Sequence, residues 1–127
     1  MTMIRDIADF HTKFGLAYNG KPQQLSEELS AFRIKFMQEE LDEYVHSTVT
    51  NDLEGQLDAL VDLVYVALGT AYMQGFNFKE AWRRVHEANM RKVRATSEEQ
   101  SKRNSSSDVV KPAGWVAPDL KIGRAHV

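Results

Sequence analysis

The sequence predicts an all-α fold, a bundle of four to five helices followed by an extended C-terminal tail. Three observations lead there. Apolar residues recur at helical spacing through most of the first 95 positions. Glycine and proline are scarce, seven and three in 127 residues, too few for a turn-rich β-sandwich. Capping residues also stand at helix-length intervals. The length suits one domain of ordinary size, and 43% hydrophobic with 27% charged residues excludes wholesale disorder.

The elements follow in order. Residues 3–14 place Ile4, Ile7, Ala8 and Phe14 on one face and stop before Gly15. The stretch 16–25 contains Asn19-Gly20 and Pro22 and reads as a loop. Ser26 is a hydroxyl cap for a second helix reaching about His46, with Glu27 and Glu28 favoured in its first turn. Asn51 with Glu54 has capping-box spacing and opens a third helix that runs to Gly75. Asn77 with Glu80 repeats the signal and opens a fourth, through about Val93. These helices make a helical domain over 1–95. Residues 96–108 are polar, Ser-rich and without period, and read as a flexible linker that makes no contacts. Residues 109–127 form an extended tail. Its VVKPAGWVAPDL segment carries Val109, Val110, Trp115 and Leu120, apolar groups that should dock. The final GRAHV has no structural logic and reads as an appended terminus.

Several function classes drop out on composition. The absence of cysteine excludes a disulfide scaffold, thiolate zinc sites and a cysteine nucleophile. A formal net charge of −2 supplies no basic field toward nucleic acid, so no nucleic-acid partner is expected. No apolar run approaches the roughly 18 residues of a membrane span, and the first residues lack a signal-peptide core. The expectation is a cytoplasmic protein with no membrane partner.

The second helix holds an anomaly. At about 100° per residue, Leu29, Phe32 and Phe36 define an apolar stripe, and Glu40 and Glu43 project onto it. Glu39 lies at its edge and Asp42 faces away. The third helix is apolar nearly all round, which marks a buried helix. Yet Asp58 and Asp62 sit inside it, one turn apart, at the margin of the Leu57, Val61, Val64 and Leu68 stripe. A buried carboxylate costs several kcal/mol unless it is paired or neutralised. Two explanations stand. Arg33, Lys35, Arg83 or Lys92 could neutralise the acids as salt bridges, or a multivalent cation could sit between them. An all-oxygen set suits Mg²⁺ or Mn²⁺. Zinc fits poorly, because His11, His46, His86 and His126 share no ligand spacing.

The fourth helix adds polar groups by the same logic. Phe78, Ala81 and Val85 set its inner stripe, Asn89 and Lys92 project onto that stripe, and His86 lies at its edge. An amide and an ammonium suit a phosphate chain. The alternative is that Lys92 only neutralises an acid and Asn89 only bonds backbone.

These motifs together resemble a known family. EELDE at 39–43 has the E-E-x-x-E pattern of the all-α nucleotide pyrophosphohydrolases, the MazG-like and phosphoribosyl-ATP pyrophosphohydrolase superfamily. DALVDLVYVALGTA at 58–71 resembles its second acidic helix. HEANMRK at 86–92 and KPAGWVAPDL at 111–120 are similar to a bacterial and phage branch in which an H-x-x-N-M-x-K helix precedes a K-P tail. The resemblance runs from FHTKFGL at 10–16 to Leu120. One departure stands out: Ala59 occupies the position where the family's second motif has Glu. Asp58, one residue earlier, is the substitute, shorter and rotated by about 100°.

The resemblance implies a MazG-like bundle that dimerises through a four-helix core, sometimes into tetramers, and a Mg²⁺-dependent cleavage of a nucleoside triphosphate to monophosphate and pyrophosphate. Glu40, Glu43 and Asp62 are then the first metal ligands, with Glu39 and Asp58 either ligands or bases positioning water. His86, Asn89, Lys92, Lys111 and Trp115 are the substrate-binding candidates. No glycine-rich phosphate loop occurs, so phosphates must be met by metal and side chains. Two other readings remain beside this one: hydrolysis of phosphoribosyl-ATP, and a non-catalytic interaction module on the same bundle, which the Ala59 departure keeps open.

Overall fold

The computed structural model describes residues 2–121, so the appended-terminus reading of GRAHV lies outside the described residues. Four helices dominate: α1 (Thr2–Lys13), α2 (Glu27–Val49), α3 (Leu53–Met73) and α4 (Phe78–Met90). A two-residue ladder follows, β1 (Val93–Arg94) antiparallel to β2 (Val109–Val110), with a 3₁₀ turn at Glu98–Gln100 between its strands. The described residues divide into two compact units, 2–78 and 79–121. The sequence reading placed its break after residue 95; here α4 groups with the C-terminal region instead. No single helix among the described residues is long and apolar enough to cross a membrane.

In the first unit α2 and α3 form an antiparallel hairpin. Ser26 caps α2 as expected, its hydroxyl accepting from the Leu29 N–H at 3.1 Å. The cap of α3 lies one residue later than the sequence suggested. Asn51 takes a left-handed conformation (φ 56°) that ends α2, and Asp52 accepts from the Gly55 N–H at 3.0 Å. The reason is local: a short Asn tolerates positive φ, so Asn51 is used to turn the chain and its neighbour does the capping.

The far end of the hairpin is closed by α1 and by the 14–26 loop. Phe10 of α1 meets Tyr65 edge-on at 5.3 Å between ring centroids, and the His11 ring lies 5.2 Å from that of Tyr72. Gln23 ties the loop to the end of α3, its N–H bonding the Gln74 carbonyl and its amide bonding that of Met73, each at 2.8 Å. Gly75 ends α3 with φ +73°, and a side chain there would strike the Tyr18 ring and the Gly20 carbonyl.

Two expectations about apolar faces need correction. The face of α2 turned toward α3 carries the buried Arg33, Glu40 and Ser47, and Phe32 is 57% exposed. The stripe through Phe32 is rotated off the contact face, which follows the heptad spacing of Arg33, Glu40 and Ser47. Likewise α3 is buried or half-buried on all sides only in its last stretch, from Leu68 to Met73. Leu57, Val61 and Val64 stand exposed, on the side of α3 opposite the one that α2 covers.

The second unit is built on α4. The tail docks on it: the Trp115 indole N–H donates to the Ala88 carbonyl at 2.7 Å, and Arg84 donates to the Asp119 carbonyl at 2.8 Å. Residues 96–108 lack a helical period, as read, but the expectation that they make no contacts is wrong. Asp108 accepts from the Ser101 hydroxyl at 2.7 Å and from Arg103 at 2.8 Å, and Ala95 N–H bonds the Asp108 carbonyl. Paired polar side chains order this loop without any apolar pattern to announce it.

Candidate metal centre

The site is assembled by the α2–α3 hairpin. Glu40 and Glu43 lie one turn apart on α2, and Asp62 faces them from α3. One carboxylate oxygen from each of the three lies within 4.8 Å of the others. Glu40 is only 8% exposed, Asp62 is half-buried and Glu43 is exposed, so the cluster opens from the interior to solvent.

The Glu40 Oε2 atom is buried without a hydrogen-bond partner, and it alone among the described side-chain atoms has that status. Burial raises the Glu40 carboxyl above the usual range, and the charges of Glu43, Asp62 and Asp58 raise it further. An orphaned oxygen in a converging set of acids lacks a counter-charge. The salt-bridge explanation does not supply one, since no ion pair reaches these acids among the described residues. Arg83 is paired with Glu80 and Glu87. A hard divalent cation suits the donor set, which is all carboxylate and already gathered.

Arg33 has a different task. Its Nε donates to the Thr70 hydroxyl at 3.0 Å and its Nη2 to the Val66 carbonyl at 2.9 Å. Arg33 stands two turns before Glu40 on α2, and Val66 one turn after Asp62 on α3. Its guanidinium therefore fixes the register in which the acids of the two helices meet. Sequence reading offered Arg33 only as a neutraliser of acids; its heptad spacing to Glu40 was the available signal.

Gly69 makes room for this arrangement. A Cβ there would lie 2.7 Å from His11 Nε2 and 2.8 Å from Arg33 Nη2. Both groups are held, Arg33 as above and His11 by the Leu16 carbonyl at 3.3 Å. Burial lowers the His11 pKa and the Arg33 charge lowers it further, against the opposing pull of the Leu16 carbonyl. Gly69→Ala should cost about 1–3 kcal/mol through overpacking, against about 1 kcal/mol regained from helix propensity. The net expectation is a Tm lowered by several degrees, read by thermal unfolding. A Tm equal to or above the wild type would show that the two side chains give way freely.

The remaining candidates divide between the units. Glu39 is exposed on α2. Asp58 is exposed and stands outside the 4.8 Å group, although its charge acts on Glu40. Ala59 is fully buried, so the position of the family's Glu carries a methyl group that offers no ligand. In the second unit His86 and Asn89 are exposed on α4, and Lys92 follows it half-buried. The Lys92 and Lys111 ammoniums lie 5.3 and 5.0 Å from the centre of the Trp115 ring. Lys92, Lys111 and Trp115, which the resemblance groups as substrate-binding candidates, are therefore neighbours.

The profile of the phosphoribosyl-ATP pyrophosphohydrolase family matches residues 7–89, which span all three acids. The chain belongs to that family. It is accordingly a member of the MazG-like all-α superfamily and a nucleotide pyrophosphohydrolase, of a metal-dependent kind. No curated protein matches the sequence.

Proposed function

We propose that this pyrophosphohydrolase acts on a nucleoside triphosphate, ribo- or deoxyribo-, releasing monophosphate and pyrophosphate with Mg²⁺ as the natural cation and Mn²⁺ as a substitute. The observation that carries the metal-dependent reading is the buried, unpartnered Glu40 oxygen facing Glu43 and Asp62. When bound, the divalent cation supplies charge neutralisation and Lewis acidity at the phosphate chain.

The chain's own residues do the rest. Glu40, Glu43 and Asp62 hold the cation. Glu39 or Asp58, both solvent-facing, orients a water and takes its proton as the water oxygen bonds the α-phosphorus. The bond from that phosphorus to the bridging oxygen breaks, and pyrophosphate leaves with the electron pair. In this reading the enzyme works in the cytoplasm as a guard of the nucleotide pool.

A second reading, dedicated hydrolysis of phosphoribosyl-ATP, is favoured by the description of the matching family. The H-x-x-N-M-x-K helix and K-P tail favour the first. A panel of ribo-, deoxyribo- and modified triphosphates together with phosphoribosyl-ATP, each with Mg²⁺ and scored for pyrophosphate, separates them. Turnover of phosphoribosyl-ATP alone would select the second reading. Turnover of nothing would leave the non-catalytic module.

The working form in this reading is a homodimer, with tetramers as a further association. Leu57, Val61 and Val64 form an apolar stripe opposite the face that α2 covers, and a second hairpin is its natural cover.

A further inference from the structure

The seam between α2 and α3 follows two heptad lines. The first helix contributes Arg33, Glu40 and Ser47, and the second Ala59, Val66 and Met73, all of them buried. The α2 line is polar throughout, so no row of apolar knobs on it fixes the register against α3. Polar bonds must do that instead.

Arg33 supplies them. Its Nη2 donates to the Val66 carbonyl at 2.9 Å and its Nε to the Thr70 hydroxyl at 3.0 Å. That hydroxyl donates in turn to the same Val66 carbonyl at 2.7 Å, which closes a ring of three bonds. Both partners of the guanidinium are neutral, and no carboxylate forms an ion pair with it among the described residues. Yet Arg33 is only 7% exposed. A buried cation held by neutral acceptors carries a desolvation cost that an apolar side chain of similar size would avoid. Stability therefore does not account for Arg33, and placement does. The helices are antiparallel, so seven residues forward from Arg33 on α2 correspond to seven back from Val66 and Thr70 on α3. That sets Glu40 level with the span from Ala59 to Leu63, where Asp62 stands. A slip of one helical turn, about 5.4 Å, would exceed the 4.8 Å within which the three carboxylates gather. Mg²⁺ tolerates far less, since it binds oxygens at about 2.0–2.1 Å.

We propose that Arg33 and Thr70 are positioning residues for the metal centre: they lock α2 against α3 so that Glu40, Glu43 and Asp62 stand at ligand spacing before a cation arrives. The three acids repel one another in that state, and the lock opposes their separation. Neither positioning residue is a ligand. Thr70 acts by orienting the guanidinium and by sharing its acceptor. The proposal rests on the metal-dependent reading above and adds what gathers the ligands ahead of binding.

The test uses the full chain, with Mn²⁺ alone as the probe and its electron paramagnetic resonance as the measure of free ion. The wild type should bind Mn²⁺. Thr70→Val keeps the shape and removes the hydroxyl, and Arg33→Met keeps much of the bulk and removes both donors. Each should weaken Mn²⁺ binding at least about tenfold, with helicity retained by circular dichroism. Thr70→Ser restores the hydroxyl and should bind as the wild type does. Ile7→Val, which trims a buried residue of α1, should lower thermal stability and leave Mn²⁺ affinity unchanged. If Arg33→Met fails to fold, the Thr70 pair decides. Wild-type affinity in a folded Thr70→Val or Arg33→Met protein would overturn the proposal and leave the metal site standing. So would an Ile7→Val protein that loses affinity along with stability, because affinity would then merely follow folding. A wild-type chain that binds no Mn²⁺ would overturn the metal-dependent reading and this proposal together.

Discussion

Glu40→Gln is expected to abolish pyrophosphate release and yet to make the metal-free protein more stable. Loss of a ligand removes transition-state charge stabilisation worth several kcal/mol, about a thousandfold or more in rate. Stability moves the other way because the wild-type carboxylate is buried without a partner and crowded by Glu43 and Asp62. An amide in its place removes the charge and keeps the shape, a gain of about 1–3 kcal/mol. The pH dependence follows from the raised Glu40 pKa. The folded state holds this proton more tightly than the unfolded state. Metal-free stability is therefore greatest below the ordinary Glu range and declines as pH rises through the raised value. The difference between wild type and Glu40→Gln should vanish in acid and widen toward neutrality, read by denaturant unfolding in EDTA. Mg²⁺ should reverse the order, because it binds only the intact site and stabilises by mass action. Glu43→Gln and Asp62→Asn should lose activity similarly with helicity retained. An active Glu40→Gln enzyme, or one less stable than wild type without metal, would count against Glu40 as a ligand.

That site was legible in the sequence because it breaks a rule. Glu40 and Glu43 fall in line with Leu29, Phe32 and Phe36 on α2, and Asp62 interrupts the apolar run of α3, and such interruptions show without knowledge of the packing. The helix boundaries were legible for a local reason, since Ser26 and Gly75 act on residues within one turn of themselves. What stayed hidden depends on groups far apart in sequence. Arg33 bonds acceptors 33 and 37 residues away, and no periodicity points from Arg33 to Thr70. The α2 stripe was misjudged because a helix with Phe32 on one flank and Ile34, Leu41 and Val45 on another has apolar groups on several sides. The loop at 96–108 escaped for the opposite reason: its order comes from Ser101, Arg103 and Asp108 bonding one another, which composition reads as solubility.

The flank residues matter for the second large effect, the expected response of assembly to a single charge. Leu57 is 64% exposed in one chain and lies with Val61 and Val64 on the side of α3 away from α2. A carboxylate at an exposed position costs a lone chain little. Buried in a helix–helix interface it costs several kcal/mol, because it loses its water without gaining a partner. Each 1.4 kcal/mol is about tenfold in dissociation constant, so Leu57→Glu should weaken a dimer about a thousandfold. Sedimentation at micromolar concentration should then show a wild-type dimer and a Leu57→Glu monomer, with helicity equal by circular dichroism. Asp42→Ala, on the solvent face of α2, should leave the dimer intact. The two α3 outcomes separate cleanly from a folding defect, since a chain that merely unfolded would lose helicity along with its partner. A wild-type monomer at that concentration, or a Leu57→Glu protein as dimeric as the wild type, would leave this stripe without the role assigned to it.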